Sequence, residues 1–205
     1  MPSEIDLTWP TSADLRLQAG THRLLHDVTE LGGAIGFLSP PTRADTDAWL
    51  DGVLAAVRAG DAALAVAMAD NHIAAMGLWR RMPGAVFAHS ATVERVMAHP
   101  SARGLGLGRQ IVTALIDNAR NTGLETLTLG VRGNNHGAIE LYEQLGFREW
   151  GRLPNVIEIG NDRYDDIRMY LELPRHPTIT LRGSQPGGPG WSPRRQVQEP
   201  ADSLP

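Results

Sequence analysis

A glycine-rich turn between a strand and a helix is the feature that most constrains this chain. Val93 to Ala98 is apolar and β-branched except at Glu94 and Arg95, which predicts a short strand. His99 to Gly108 is rich in Pro and Gly and predicts a turn. After Arg109 the apolar residues recur with the spacing of an amphipathic helix: Ile111, Val112, Leu115, Ile116 and Ala119. Unpaired N–H groups and the dipole at such a helix start favour an anion, so we predict a ligand that carries a pyrophosphate or a similar group.

The spacing of these glycines excludes two common phosphate-binding motifs. A P-loop needs Lys and then Ser or Thr directly after its last glycine, whereas Arg109 and Gln110 follow Gly108. The dinucleotide fingerprint needs glycine at its first, third and sixth positions, and the sixth residue counted from Gly104 is Arg109. A nucleotide-binding regulatory domain is therefore disfavoured.

Two motifs together resemble the GNAT superfamily of N-acyltransferases. The first has the form of its acyl-CoA pyrophosphate loop and reads His99-Pro100-x-x-Arg103-Gly104-x-Gly106-x-Gly108. The second follows further along the chain and reads Asn135-x-x-Ala138-Ile139-x-Leu141-Tyr142-Glu143-x-Leu145-Gly146-Phe147. The resemblance is specific over residues 90–150 and extends over residues 5–173.

The hydrophobic pattern predicts the element order β-α-α-β-β-β-α-β-α-β-β, which is also the order that the resemblance implies. The implied fold class is α/β (α+β), with a mixed, mostly antiparallel central sheet flanked by helices and one parallel crossover. The predicted strands are Ile5–Trp9, Ala62–Met68, Ile73–Trp79, Val93–Ala98, the segment holding Leu127, Leu129 and Val131, Trp150–Ile159 and Ile167–Leu173.

Capping residues predict where the helices begin and end. Thr11 or Ser12 caps the first helix, whose inward face runs from Leu15 to Leu31, and Thr42 caps a second helix that ends near Gly60. A short helix is predicted over Ala138–Leu145. The expected organisation is an N-terminal extension over 1–4, one N-acetyltransferase domain over 5–173 and a Pro/Gly-rich, disordered tail over 174–205.

The resemblance implies that acetyl-CoA is the cosubstrate and that the pantetheine arm pairs with the edge of the central strand. The pyrophosphate then lies on the glycine turn, and Asn135 bonds to the cofactor arm. The implied cofactor-binding residues are Val96, Met97, Ala98, Arg103, Gly104, Leu105, Gly106, Leu107, Gly108, Arg109, Asn135, Ala138 and Tyr142.

Two catalytic residues are predicted. The family pattern places the Tyr142 phenol near the thioester sulfur, where it protonates the departing thiolate; the alternative is a packed Tyr bonded to a backbone carbonyl. Glu94 is the candidate general base because regular alternation puts it on the same side as Val96 and Ala98. Its alternative role is an ion pair with Arg95 or Arg132.

The acceptor site is less well defined by the sequence. Gly32-Gly33-Ala34-Ile35-Gly36-Phe37, followed by Trp49, resembles tabtoxin-resistance-type acetyltransferases, which acetylate an amino-acid-like amine. Some of those relatives carry an acidic residue where this chain has Gly130 to Arg132. The superfamily places the loop between the first two helices beside the acceptor, so Phe37 and Leu38 are candidates to line the substrate pocket, with plain core packing as the alternative.

Composition limits the remaining possibilities. A formal charge of −4 argues against a nucleic-acid surface, and the absence of cysteine removes a covalent thiol intermediate. No membrane segment or signal peptide is recognised, so a cytoplasmic protein is expected. His22 and His26 have a metal-binding spacing but no evident third ligand, so no metal is predicted.

The sequence therefore predicts direct transfer of an acetyl group from acetyl-CoA to a primary amine of an amino-acid-like or antibiotic-like small molecule. The alternatives are acetylation of a protein N-terminus or lysine, and a non-catalytic acyl-CoA sensor. A homodimer formed through residues 150–173 is also expected, because exposed final strands in this superfamily often pair between subunits.

Overall fold

The computed structural model describes residues 5–33, 35–70, 72–102 and 104–174. The strands are β1 (Ile5–Thr8), β2 (Ala62–Ala69), β3 (His72–Arg81), β4 (Ser90–Ala98), β5 (Thr126–Arg132), β6 (Arg148–Ile159) and β7 (Asp162–Glu172), and the α-helices are α1 (Leu15–Glu30), α2 (Arg43–Ala59), α3 (Leu107–Asn121) and α4 (His136–Gln144). Short 3₁₀ turns occupy Ala85–Phe87 and Pro100–Ala102. The predicted order of elements is confirmed, whereas the predicted extension over 1–4 and nearly all of the predicted tail fall outside the described residues.

All seven strands form one sheet in the order β1-β2-β3-β4-β5-β7-β6. Every neighbouring pair is antiparallel except β4 and β5, which are parallel and are connected through α3. A parallel pair requires such a crossover because its strands run in the same direction. The predicted mixed, mostly antiparallel fold is confirmed. No helix in the described part of the chain is both long and apolar enough to span a bilayer.

The helices cover both faces of the sheet. One core contains buried residues of α1, α2 and the sheet, including Leu25, Leu50 and Leu78. The other contains residues of α3 and α4 and the opposite face of the sheet, including Trp79 and Leu115. Because successive strand residues point to opposite faces, the adjacent pair Leu78 and Trp79 contributes one side chain to each core. Burial of these apolar side chains is the main force that holds the layers together.

The predicted cap of α2 is confirmed, and that of α1 is wrong. Thr42 and Asp45 form a capping box at the start of α2, and Gly60 ends the helix in a left-handed conformation. In α1 the cap is Asp14, whose side chain accepts a hydrogen bond from the Leu17 backbone at 2.7 Å. The helix therefore starts later than predicted, and Leu15 is 80% exposed instead of inward. Leu31, also predicted to face inward, is exposed at the other end of the helix.

The boundaries of the central segment also differ from the prediction. β4 begins at Ser90, three residues before the predicted start at Val93. α3 begins at Leu107, before the predicted start at Arg109, because Leu107 is fully buried under the core and joins the first turn of the helix.

A β-bulge interrupts β4 in its middle. Met97 pairs with Met76 and Glu94 with Leu78, so Arg95 and Val96 together face the single residue Gly77. Arg95 has a φ of 53°, in the left-handed region. Gly77 is required by packing, because a Cβ at this position would lie 2.7 Å from the Ile111 side chain of α3.

We expect Gly77→Ala to lower the free energy of unfolding by about 1–3 kcal/mol because it overpacks the contact between the sheet and α3. The matched control is Gly52→Ala in α2, where nothing lies within 4 Å of the added Cβ. There we expect a gain of about 0.5–1 kcal/mol from the lower backbone entropy of the unfolded chain. Urea denaturation followed by circular dichroism measures both, and an unchanged Gly77→Ala variant would contradict the close packing of α3.

Candidate active site

The site is built on the separation of β4 from β5. Their parallel pairing covers only three register positions and ends at Thr92 and Thr128, whose hydroxyl oxygens lie 3.2 Å apart. β4 then continues to Ala98 and β5 to Arg132 with no further pairing between them. The two strands therefore diverge and leave a V-shaped cleft in the sheet.

The β4 wall of this cleft presents backbone. Met97 and Ala98 pair with β3 on one side, and on the other side no described strand pairs with Val96, Met97 or Ala98. The Met97 side chain is buried in the core of α1 and α2, so it does not cover this edge. An extended ligand with amide groups can pair with such an edge as a short additional strand.

The predicted strand–turn–helix at the end of β4 is confirmed. Gly104 and Gly106 have φ values of 80° and 70°, and Gly106 is the N-cap of α3 without a side-chain capping bond. Apart from chain neighbours, no atom of the described residues lies within 4 Å of the position where either glycine would carry a Cβ, so this part of the turn has room for a ligand. Leu105 is exposed beside them, whereas Arg103 falls outside the described residues. Binding of a pyrophosphate here stays a prediction.

α4, which carries the second motif, lies beside the start of α3. The Arg109 guanidinium of α3 donates to the Gln144 side chain of α4, and Leu141 lies close to Gly108. Asn135 is the N-cap residue of α4, but its side chain makes no capping bond and is therefore not needed by the helix. Ala138 packs against the core on this face of the sheet.

Tyr142 is only 8% exposed and packs edge-on against Phe147, with ring centroids 5.7 Å apart. Burial raises the pKa of the Tyr142 phenol to about 12, because the charged phenolate is poorly solvated there. The group is therefore neutral at physiological pH and holds a proton to donate. Its hydroxyl makes no hydrogen bond to any residue in the described ranges, so the alternative of a bond to a backbone carbonyl is not realised there.

The predicted placement of Glu94 is wrong. Residues paired across antiparallel strands share a face, and Glu94 pairs with Leu78, which packs against α1 and α2. Val96 packs against the opposite core. The bulge at Arg95 inserts one residue between them and so reverses the alternation on which the prediction depended. Glu94 forms no ion pair in the described part of the chain, and its role as a base remains untested.

The loop between α1 and α2 lies over the bulge. The Arg95 guanidinium donates to the Ile35 carbonyl and lies 4.4 Å from the Phe37 ring centroid and 5.5 Å from that of Trp49. Burial lowers the pKa of Arg95, and the nearby Glu94 carboxylate partly offsets this. Leu38 is 87% exposed, so core packing does not explain it. Phe37 is half-buried and packs against the core of α1 and α2 as well as against Arg95, so the alternative of core packing applies to it.

Arg132 at the end of β5 contacts the same loop. Its Nη2 donates to the Gly32 carbonyl at 3.3 Å, and its guanidinium lies 5.2 Å from the Tyr164 ring. The sequence had drawn attention to this position because it lacks a carboxylate and as a possible ion-pair partner of Glu94. The roles of Arg95 and Arg132 depend on contacts with residues 60 and 100 positions away, which no local pattern indicates.

His99 does more than complete the turn. The Ser101 backbone N–H donates to Nδ1, so the proton of the neutral ring lies on Nε2, which donates to Asp27 of α1 at 3.1 Å. The pKa of Asp27 is lowered, chiefly by this bond. A cavity of about 820 Å³ adjoins His99 and Ser101 and is also lined by Arg16 and Arg23 of α1. Its lining includes Leu105 of the glycine turn and no residue of β5.

His22 and His26, whose spacing is compatible with a metal, pack edge-on with ring centroids 5.9 Å apart. His22 also lies 3.3 Å from the Thr46 hydroxyl of α2. The possible metal-ligating atoms of His26, Asp27 and Glu30 lie within 4.8 Å of one another. Because His99 and Arg23 already contact Asp27, these residues form a charge network between α1 and the glycine turn.

Comparison with known proteins identifies the family to which this architecture belongs. The fold is similar to that of a GNAT superfamily phosphinothricin acetyltransferase from Sinorhizobium meliloti, solved in complex with acetyl-CoA. The TM-score is 0.68 at 16% identity, over 82% of this chain and 88% of that one, a likeness that concerns the fold alone. The model of the acetyltransferase (GNAT) family matches residues 28–147, more than half of the chain. The chain belongs to this family.

Two curated relatives from Salmonella typhimurium differ in what their names say they act on. An L-methionine sulfoximine/L-methionine sulfone acetyltransferase is 36% identical over 106 residues, which cover 50% of this chain and 58% of that protein. A ribosomal protein bS18-alanine N-acetyltransferase is 38% identical over 105 residues, 51% of this chain and 68% of that protein. The chain thus spans less than two thirds of the first relative's length.

Proposed function

We propose that this protein transfers an acetyl group from acetyl-CoA directly to a primary amine of a small molecule. The observation that carries the proposal is the continuous path from the open edge of β4 to the glycine turn at the start of α3. Amide groups of a pantetheine arm match a free strand edge, and a pyrophosphate matches the unpaired N–H groups of a helix start. Val96 to Ala98 and Gly104 to Gly108 then hold the two parts of one cofactor.

The chemistry needs groups at three points of the cleft. A backbone N–H near Val96 stabilises the oxyanion when the acceptor amine attacks the thioester carbonyl. The ammonium proton passes to a base, for which Glu94 remains the candidate, and the departing thiolate takes a proton from Tyr142. No cysteine is present to carry the acetyl group, so the amine attacks acetyl-CoA itself.

The acceptor is proposed to be a small molecule because the loop between α1 and α2 is fastened across the mouth of the cleft by Arg95 and Arg132. The main alternative is a protein N-terminus or lysine, which the bS18 relative suggests. A sensor that binds acyl-CoA without turnover is a third candidate. The amine dependence of CoA release separates these candidates.

Purified protein given acetyl-CoA is expected to release CoA in the presence of an amino-acid-like amine, and Tyr142→Phe is expected to lower kcat by about 10- to 100-fold. The Michaelis constant for acetyl-CoA should change little, because only the proton donor is lost. Tyr170→Phe on β7 is the control. Unchanged turnover in Tyr142→Phe would exclude the general-acid role, and tight binding without any amine-dependent release would favour the sensor.

Gly106→Asp is expected to weaken acetyl-CoA binding by at least about tenfold, because it places a carboxylate beside the pyrophosphate at the start of α3. Gly123→Asp is the matched control, since Gly123 has a φ of 77° and equally open surroundings at the other end of α3. Both variants carry the same backbone strain, so isothermal titration calorimetry compares the charge effect alone. Equal affinities would show that the turn does not hold the pyrophosphate.

We further propose that the protein forms a homodimer through β6. This strand is at the edge of the sheet and exposes Trp150, Leu153 and Val156, with Trp150 62% exposed. An open edge with apolar side chains favours pairing with a second copy. Leu153→Lys is expected to convert the dimer to monomer in sedimentation velocity, whereas Leu15→Lys at an exposed site on α1 leaves it unchanged. A monomeric unaltered protein would overturn this proposal.

A further inference from the structure

Arg95 and Arg132 flank the cleft on the face of the sheet that α1 and α2 cover. Arg95 reaches this face through the bulge in β4 and packs against Phe37 and Trp49. On β5, Val131 points into the core of α3 and α4, so the next residue, Arg132, points to the opposite face. One guanidinium therefore projects from each of the two diverging strands.

Both guanidinium groups bind carbonyls of one short segment. Arg95 donates to Ile35 and Arg132 to Gly32. Three residues of extended chain span at most about 11 Å, so the two arginines meet the loop at neighbouring points. The loop bridges the mouth of the cleft, and the cationic groups lie beneath it.

The positive charge of this pair is not neutralised by the protein. In the described part of the chain neither arginine has a carboxylate at ion-pair distance, whereas Arg152 contacts both Glu149 and Asp165. Two carboxylates share this face, Glu94 of β4 and Asp166, the register partner of Arg132 on β7. Asp166 is held by Arg168 at 2.6 Å, and Glu94 acts on Arg95 only at longer range.

The remaining donors of these arginines are available to a ligand. A guanidinium has five N–H donors, and within the described residues Arg95 uses one nitrogen while Arg132 uses two. A partly buried cation without an anionic partner is costly, and a carboxylate that binds in bidentate fashion removes that cost. A carboxylate is the small anion whose two oxygens match the planar fork of such a guanidinium.

We propose that Arg95 and Arg132 bind the carboxylate of the acceptor, so that the substrate class is α-amino acids. This inference rests on the proposed acetyltransferase function and specifies its acceptor. A carboxylate bound by both arginines directs the adjacent amine toward the thioester carbonyl, which the proposed oxyanion site places near Val96, the neighbour of Arg95 on β4. Polycationic amines are repelled by the same two charges, and a protein N-terminus lacks a carboxylate beside its amine.

The test compares L-methionine sulfone with its carboxamide, two acceptors that share the amine and side chain and differ in the carboxylate. We expect Arg132→Gln and Arg95→Gln each to lower kcat/KM for the acid by about 10- to 100-fold, since each removes a charge-assisted hydrogen bond. For the carboxamide the change is expected to stay within about threefold. Taking the ratio of the two acceptors cancels their different amine basicities and any general effect of the variant.

Arg120→Gln is the matched control, because Arg120 pairs with Asp117 on α3 and lies outside the cleft. Arg95→Lys tests whether charge without the planar fork is enough, and retained acid preference there supports binding by charge. Equal losses for acid and carboxamide would show that the arginines only position the loop, which overturns the inference while the acetyltransferase function stands. Failure of the unaltered protein to acetylate either compound, or any other amine, would overturn the proposed function and this inference with it.

Discussion

The early end of strand pairing between β4 and β5 is the constraint on which the rest of the structure depends. Buried backbone groups are almost always hydrogen-bonded, so a strand in the middle of a sheet with one open edge is an uncommon arrangement. Here pairing stops at Thr92 and Thr128, and six further residues of β4 face the opening. An open edge in the centre of a sheet is stable when water or a ligand completes it, which is why this edge is the proposed binding surface.

The packing of α3 and the shape of the cleft are linked through Gly77. The bulge places two residues of β4 opposite this glycine, and the missing side chain gives room to Ile111 of α3. α3 begins at the glycine turn. The contact between Gly77 and Ile111 therefore also fixes the direction of the N–H groups at the start of α3. On the other face the bulge turns Arg95 toward the loop between α1 and α2. One irregular position thus shapes both faces of the sheet beside the cleft.

The architecture could be predicted from the sequence because each strand, turn and helix is encoded by residues that are close together in the chain. Apolar alternation and glycine spacing identified the strand, the turn and the helix, and the order of all eleven elements is confirmed. The cap of α1 was misplaced because Thr11, Ser12 and Asp14 are all good capping residues, and propensity does not rank them. The predicted face of β4 for Glu94 was wrong because the single residue inserted by the bulge reverses the alternation of side chains. The bonds from Arg95, Arg132 and His99 to distant residues had no signal in the sequence.

The burial of Tyr142 bears on how a departing thiolate is protonated. A phenol with a pKa near 12 is a weaker acid than a free tyrosine, so proton transfer to a thiolate in water would be unfavourable. In the proposed mechanism the thiolate would leave beside this phenol, and desolvation there would disfavour the charged form of both groups. Burial therefore weakens Tyr142 as an acid toward water but weakens it less toward a thiolate that is buried beside it.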